Sequence, residues 1–294
     1  MMYRALLALG WMILSGMTAQ AADLVVVTPT RSDLSERFVN ELRIVRPQDD
    51  IVLRQLDEMG DIPAHARMVT MGKAALRWRL EQASETPTIA TYVSVYQLDT
   101  AGLSSLPADI QVLLANPAPD RQLALARQLL PRLQTIGLLH TPDSKRQIRA
   151  WRTAAQRFAL QLNTAEVKQQ RELGRRVAEI TNKSDLLVAV DDPDIYNAEN
   201  LRTLLLTSYA RNKVLIGPGA PFISAGSLST TYSSAVDTAR SVHGRFDQPW
   251  QPGSVTYPDH FSVLSNQKVA RSLGFPPIND AALAKHLSDM EASP

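Results

Sequence analysis

The chain has no cysteine in 294 residues. That excludes disulfides, thiolate metal sites and cysteine nucleophiles, and also an N-terminal lipid anchor, which needs a cysteine at the cleavage point. Charge of one sign is lacking as well. Lys and Arg number 31 against 29 Asp and Glu, so electrostatics favours neither nucleic acid nor an anionic membrane as partner. There is no low-complexity tract, and beyond the N-terminus no apolar run is long enough to span a bilayer. No G-x-S-x-G elbow, H-E-x-x-H pair or G-x-x-x-x-G-K-[ST] loop occurs. Gly217-Pro218-Gly219 begins like a dinucleotide loop, but no third glycine follows and Pro218 removes an amide donor. The histidines (His65, His140, His243, His260, His286) lie on separate elements at no ligand spacing. Neither a cofactor nor a metal is expected, and the chain reads as a non-enzyme.

What is present begins with a leader. Arg4 supplies a positive start, Ala5 to Met17 an apolar stretch, and Ala19-Gln20-Ala21 a small-x-small cleavage pattern. The apolar run is well short of the ~20 residues of a spanning helix. Residues 1–21 are therefore expected to be a signal peptide cleaved after Ala21. Loss of Arg4 leaves a net charge of about +1 on the mature chain. An exported chain with neither lipid nor spanning helix is retained only by a second membrane, so the expected compartment is the periplasm.

Short β-branched runs then alternate with longer helical stretches. Leu24–Val27, Ile51–Leu53, Met68–Thr70, Thr88–Val93 and Ile110–Leu114 read as strands, with helices over 32–45 and 73–82. A second series follows Asn116-Pro117-Ala118-Pro119. Its strands are Thr135–Leu139, a weak one near Thr164, Leu186–Val190 and Val214–Ile216, and its helices run over 120–130, 144–160, from about 171, and over 198–211. Alternation of this kind implies α/β architecture with parallel sheets. Two sets of similar size predict two Rossmann-like lobes, hinge-linked, with a ligand cleft between them. The first lobe is expected over 22–117, completed by about 232–250. The second is expected over 118–231, completed by about 251–294. Chain crossings are expected near 116–119, near 229–233 and after Trp250.

Open α/β sheets place ligands at the carboxyl ends of their strands. The residues predicted at those ends are Thr28, Thr30, Ser94, Asn116, Thr141, Asp192, Gly217 and Tyr232, together a cleft of short polar groups. Tyr92 and Tyr96 are further aromatics near strand ends. The acidic loop Asp191-Asp192-Pro193-Asp194 follows the most apolar strand. Asp192 is a candidate acceptor for a ligand amine or hydroxyl, against the alternative of turn chemistry. Asp194, or else Asn197, is a candidate cap for the next helix.

Several stretches of the second half resemble a known family: 121–127 (RQLALAR), Leu130-Pro131, Ile136–Leu139, Asp194-Ile195-Tyr196-Asn197, Ser208-Tyr209, Ile216-Gly217 and Ala225–Leu228. So do Phe261–Val263, Asn266, Val269-Ala270 and Leu273-Gly274. The family is the ABC transporter substrate-binding proteins of the type that includes tryptophan and tyrosine binders. The resemblance covers about residues 110–275. It implies a type I periplasmic-binding-protein fold, a monomer, and capture of a small molecule, such as an amino acid or related compound, for delivery to a membrane permease. Val39 to Ile51 departs from the family in having no glycine, and Ala239 stands where glycine is common. Two other readings keep different roles open: a periplasmic sensor presenting its bound state to a membrane receptor, and a hydrolase or transferase using the Asp191–Asp194 carboxylates. The leader reading predicts a mature chain beginning at Ala22, checked by mass spectrometry of the exported protein. A chain still starting at Met1 in the membrane fraction would overturn it.

Overall fold

Leu24–Thr28 is buried at all five positions, as a strand with neighbours on both sides and helices on both faces must be. It is the first strand, β1, of a computed structural model that describes residues 23–103 and 105–292. The expected leader lies outside the described residues. The first series continues with α1 (Asp33–Val45), β2 (Ile51–Gln55), β3 (Arg67–Met71), α2 (Gly72–Glu81), β4 (Thr88–Val93), α3 (Val95–Thr100) and β5 (Ile110–Leu114). The second consists of α4 (Pro119–Leu129), β6 (Thr135–His140), α5 (Ile148–Arg157), β7 (Gln161–Glu166), α6 (Leu173–Asn182), β8 (Leu186–Val188), α7 (Ala198–Tyr209), β9 (Leu215–Ile216), α8 (Ala220–Ala225) and β10 (Ser229–Tyr232). The chain ends with α9 (Ala235–Asp247), β11 (Val255–Thr256), β12 (Ser262–Ser265), α10 (Gln267–Ser272) and α11 (Asp280–Ala292).

These strands form two six-stranded sheets, ordered β11-β5-β4-β3-β1-β2 and β12-β10-β9-β8-β6-β7. The first is parallel throughout. In the second only β12 runs antiparallel, against β10. Two lobes of α/β type, as expected, each have their own apolar core.

The first core is completed by a late helix. In α1 the buried residues Ser35, Phe38, Val39 and Leu42 form one stripe at helical spacing. Ala239 and Val242 of α9 pack into the same cluster. The alanine at 239 is fully buried there. In the second lobe, α6 packs closely on β6 at Gly137. A Cβ at that position would lie 2.6 Å from Leu187 and 2.9 Å from Ile180, so the glycine permits the contact.

The chain passes between the lobes at 115–118, 233–234 and 257–261. The third passage falls later than the expected return at about 251. Val255 pairs with Val112 and Thr256 with Leu113, so the short β11 still belongs to the first sheet. Its stabilisation is physical: the outer edge of β5 would otherwise present unpaired backbone groups.

The first passage runs into the first turn of α4, the third packs on it, and β10, the strand that leads into the second, is bonded to it. The Arg121 guanidinium donates to both carboxylate oxygens of Glu291, at 2.7 and 2.9 Å. It also donates to the Pro258 carbonyl at 2.7 Å and stacks 4.2 Å from the Phe261 ring centre. Beside it, Gln122 Nε2 donates to the Gly217 carbonyl at 2.8 Å and to Thr230 Oγ1 at 3.0 Å. Its Oε1 accepts from the Thr231 N–H at 2.9 Å. Gln122 is 1% exposed, so its partners are out of reach of water. Gln122→Ala strands the buried Thr231 N–H, and a loss of about 1–3 kcal/mol in stability is expected. Urea denaturation checks it; an unchanged midpoint would mean that Gln122 does not secure β10 to α4.

Candidate functional site

The carboxyl ends of the two sheets meet at α3. Tyr92, near the end of β4, has φ of 57°, a left-handed conformation that costs energy for a residue with a side chain. The β4–β5 register shifts between Ala90 and Val93 at the same place. The ring is held edge-on to Phe38, at 5.7 Å between centres. Its hydroxyl is buried, and burial pushes its pKa up to about 12 against the opposing effects of Thr238 and Arg37. This kink ends the strand immediately before α3.

Each N–H of the first turn of α3 has an acceptor. Ser94 Oγ accepts from Gln97 N at 3.2 Å, while Gln97 Oε1 accepts from Ser94 N at 3.1 Å, a capping box. Asn116 Oδ1 accepts from Val95 N at 2.7 Å. The acceptor for Tyr96 N comes from the other lobe: Asp191 Oδ2, at 2.8 Å. The Tyr96 hydroxyl also donates across, to Asp194 at 3.4 Å, and Arg146 stands 4.0 Å from Asp99. Partial burial raises the Tyr96 pKa, helped by the negative charges of Asp194, Asp143 and Asp192.

Asp192 sits differently. It is 2% exposed. Its Oδ2 accepts from Thr141 N and Thr141 Oγ1, both at 2.8 Å, and from Ser144 Oγ. Its Oδ1 accepts from Asp194 N at 3.1 Å. The carboxylate expected to face a ligand is turned inward and tied to the loop after β6, because those donors satisfy it where solvent cannot. Asp194 is not the cap of α7 either. Asn197 is, accepting from Asn200 N at 3.0 Å.

The remaining predicted residues are scattered along the same sheet edges. Thr28 is buried and donates to the Thr30 carbonyl at 3.0 Å, while Thr30 is exposed. Gly217 belongs to the α4 contacts, its carbonyl taken by Gln122 and by Thr230 Oγ1. Tyr232 ends β10 just before the second passage, and burial, with Asp237 and Asp280 nearby, raises its pKa. Ser94 and Asn116 converge on α3; Thr141 and Asp192 converge on each other. Tyr96 and Asp191 are the contacts that the sequence reading left out of the site. The Ser94-x-x-Gln97 spacing was the available signal for α3.

Two cavities border this region. One, of about 20 Å³, lies between the lobes and is lined by Val95, Asn116, Gln147, Asp191, Pro218 and Tyr257 among others. It has room for about one water. The other, of about 520 Å³, opens at the strand ends of the second lobe. Its lining includes Thr141, Asp143, Lys168, Gln170, Asp194 and Glu199, with more carboxylates than cations. Among the described residues no group of His, Cys, Asp or Glu is suited to a metal. No described helix is long and apolar enough to cross a membrane.

Asp192→Ala is expected to lower stability by about 1.5–3 kcal/mol, the range for hydrogen bonds to a charged group. Asp194→Ala, at an exposed position, should change it little. Thermal and chemical melts of both variants check this, and equal melting of the two would refute the buried role of Asp192.

Residues 115–238, from the first passage into α9, match the family model described as ABC transporter substrate binding protein. No curated protein matches the sequence. Solved structures resemble it at low identity. A ligand-free, open substrate binding protein with adhesive properties from Clostridium difficile is 14% identical with a TM-score of 0.67, over 88% of this chain and 97% of that one. An ABC domain in complex with L-Trp from Streptococcus pneumonia is 17% identical at 0.53, over 90% and 98%. A conserved domain protein from Vibrio cholerae is 15% identical at 0.54, with the same coverage. Identities this low carry the fold alone. In sequence over its second lobe, and in fold over both, the chain is similar to the substrate-binding proteins of ABC transporters, with their two-lobed type I periplasmic-binding-protein architecture.

Proposed function

We propose that this protein captures a small molecule, an amino acid or related compound, between its lobes in the periplasm and delivers it to the permease of an ABC transporter. The observation that carries this reading is the approach of two sheets by their carboxyl ends, joined by three short passages. Passages of a few residues allow the lobes to rotate about them, and a ligand that touches both lobes favours the closed arrangement. The family match over 115–238 points to the same role. The protein acts by binding, and its carboxylates serve recognition and structure. The larger cavity lies on the second lobe's side of that space, and its excess of carboxylates over cations favours a ligand bearing an amine.

A thermal-shift screen over amino acids, amines and sugars tests this. A true ligand at one hundred times its Kd stabilises the protein by about 2.7 kcal/mol, read as a rise in Tm that depends on concentration. Stabilisation by a sugar and by no amine-bearing compound would refute the ligand class proposed here.

A further inference from the structure

The mature chain is close to neutral, but the fold does not spread its cations evenly. The stretch from Ser144 to Ala165 holds Lys145, Arg146, Arg149, Arg152 and Arg157 and no acidic residue. These five lie on the short turn Lys145–Gln147 and on α5, and all are exposed. The opposite side of the helix, with Ile148, Trp151, Ala154 and Ala155, is buried in the core of the second lobe. That packing fixes the helix with its cations outward. At the helical rise per residue the basic row is about 20 Å long. Its ends have counter-charges: Lys145 lies 4.0 Å from Glu166, Arg146 4.0 Å from Asp99, and Arg157 3.1 Å from Asp120. Arg149 and Arg152, in the middle, have no side-chain partner among the described residues. Since the mature chain carries a net charge of about +1, the rest of the molecule is net negative, and the field turns this face toward an anionic surface.

We propose that the outer face of α5 is a docking surface for anionic phospholipid headgroups, which holds the protein loosely against a membrane. The total charge argues against such a partner; gathering one uncompensated stretch onto one helix face reverses that locally. Four of the five cations are arginines, whose planar forks take phosphate oxygens in pairs. The other exposed positions of the helix are Ala150, Thr153 and Gln156. The face therefore has no aromatic or large apolar side chain to centre a protein interface. A protein partner would also need a row of carboxylates at matching spacing, whereas mobile headgroups move to meet each cation. The proposal goes beyond ligand capture and does not depend on it. Contact with the bilayer that carries a permease shortens the search for it, but the face binds lipid whatever the ligand is.

Co-sedimentation of the full mature protein with vesicles tests this at low ionic strength, where exposed charges are least screened. Binding is expected to vesicles of phosphatidylglycerol mixed with phosphatidylcholine, but not to phosphatidylcholine alone, and it should weaken as salt is added. Arg149→Gln combined with Arg152→Gln should weaken binding about thirtyfold, the effect of removing two cations from an anionic surface. Neither side chain has a partner to lose, so the variant should fold as the parent does. Lys268→Gln combined with Arg271→Gln makes the same change of charge on α10, which follows β12 at the other edge of the second sheet from α5. That control should bind nearly as the parent does. No binding to the anionic vesicles, or equal losses in the two double variants, would overturn the docking surface. Tighter binding to soluble polyglutamate than to the vesicles would overturn it in favour of an acidic protein partner.

Discussion

The first turn of α4 joins everything else. A two-lobed chain that crosses three times between its lobes needs its crossings held near one another. Arg121 and Gln122 tie the first crossing to the third and to β10, which leads into the second, from adjacent positions. One reaches forward to Pro258 and Glu291, the other sideways to Gly217, Thr230 and Thr231. Both side chains are buried, so every donor and acceptor they bring must be satisfied by protein. Arg121 meets this with its planar fork on Glu291 and its face on Phe261, geometry that lysine does not offer. The C-terminal helix α11 is thereby tied to the hinge, although it lies far from it in sequence.

Beside these crossings the two sheets present their carboxyl ends to each other, and there three neighbouring carboxylates take three different roles. Asp191 reaches the opposite lobe at Tyr96 N. Asp192 turns into its own lobe and ties the loop after β6 to the loop after β8. Asp194 meets the Tyr96 hydroxyl at the rim of the larger cavity. The chemistry of the side chains is identical, and burial separates them. A carboxylate out of water must collect donors, and Thr141, Ser144 and the Asp194 N–H provide them to Asp192. Those at the edge remain able to exchange partners as the lobes move.

Much of the fold was readable because long elements carry periodicity. The helical pattern over 32–45 marked α1, and the apolar runs at Leu24–Val27 and Leu186–Val190 marked central strands. The last of these is shorter in the structure. Strand β8 stops at Val188, since the chain must already turn at Val190 to bring Asp192 under Thr141. The helices α3 and α8 are six residues each, less than two turns, and so too short to show a repeat. Strand β11 is two residues between prolines, and only the neighbouring edge of β5 makes it a strand, with Val112 N donating to the Ser254 carbonyl at 2.8 Å.

The sequence by itself determined the alternation of strand and helix, the division into two parallel α/β lobes, and the family likeness in the second half. These follow from local propensity and from burial patterns that each segment carries within itself. Only the tertiary structure decided which polar residues at the strand ends face one another. Thr141 and Asp192 are 51 residues apart, and Tyr96 and Asp191 are 95 apart. Adjacent aspartates look alike along the chain. Their roles diverge because the folded backbone points one inward to buried donors and the next outward to another lobe.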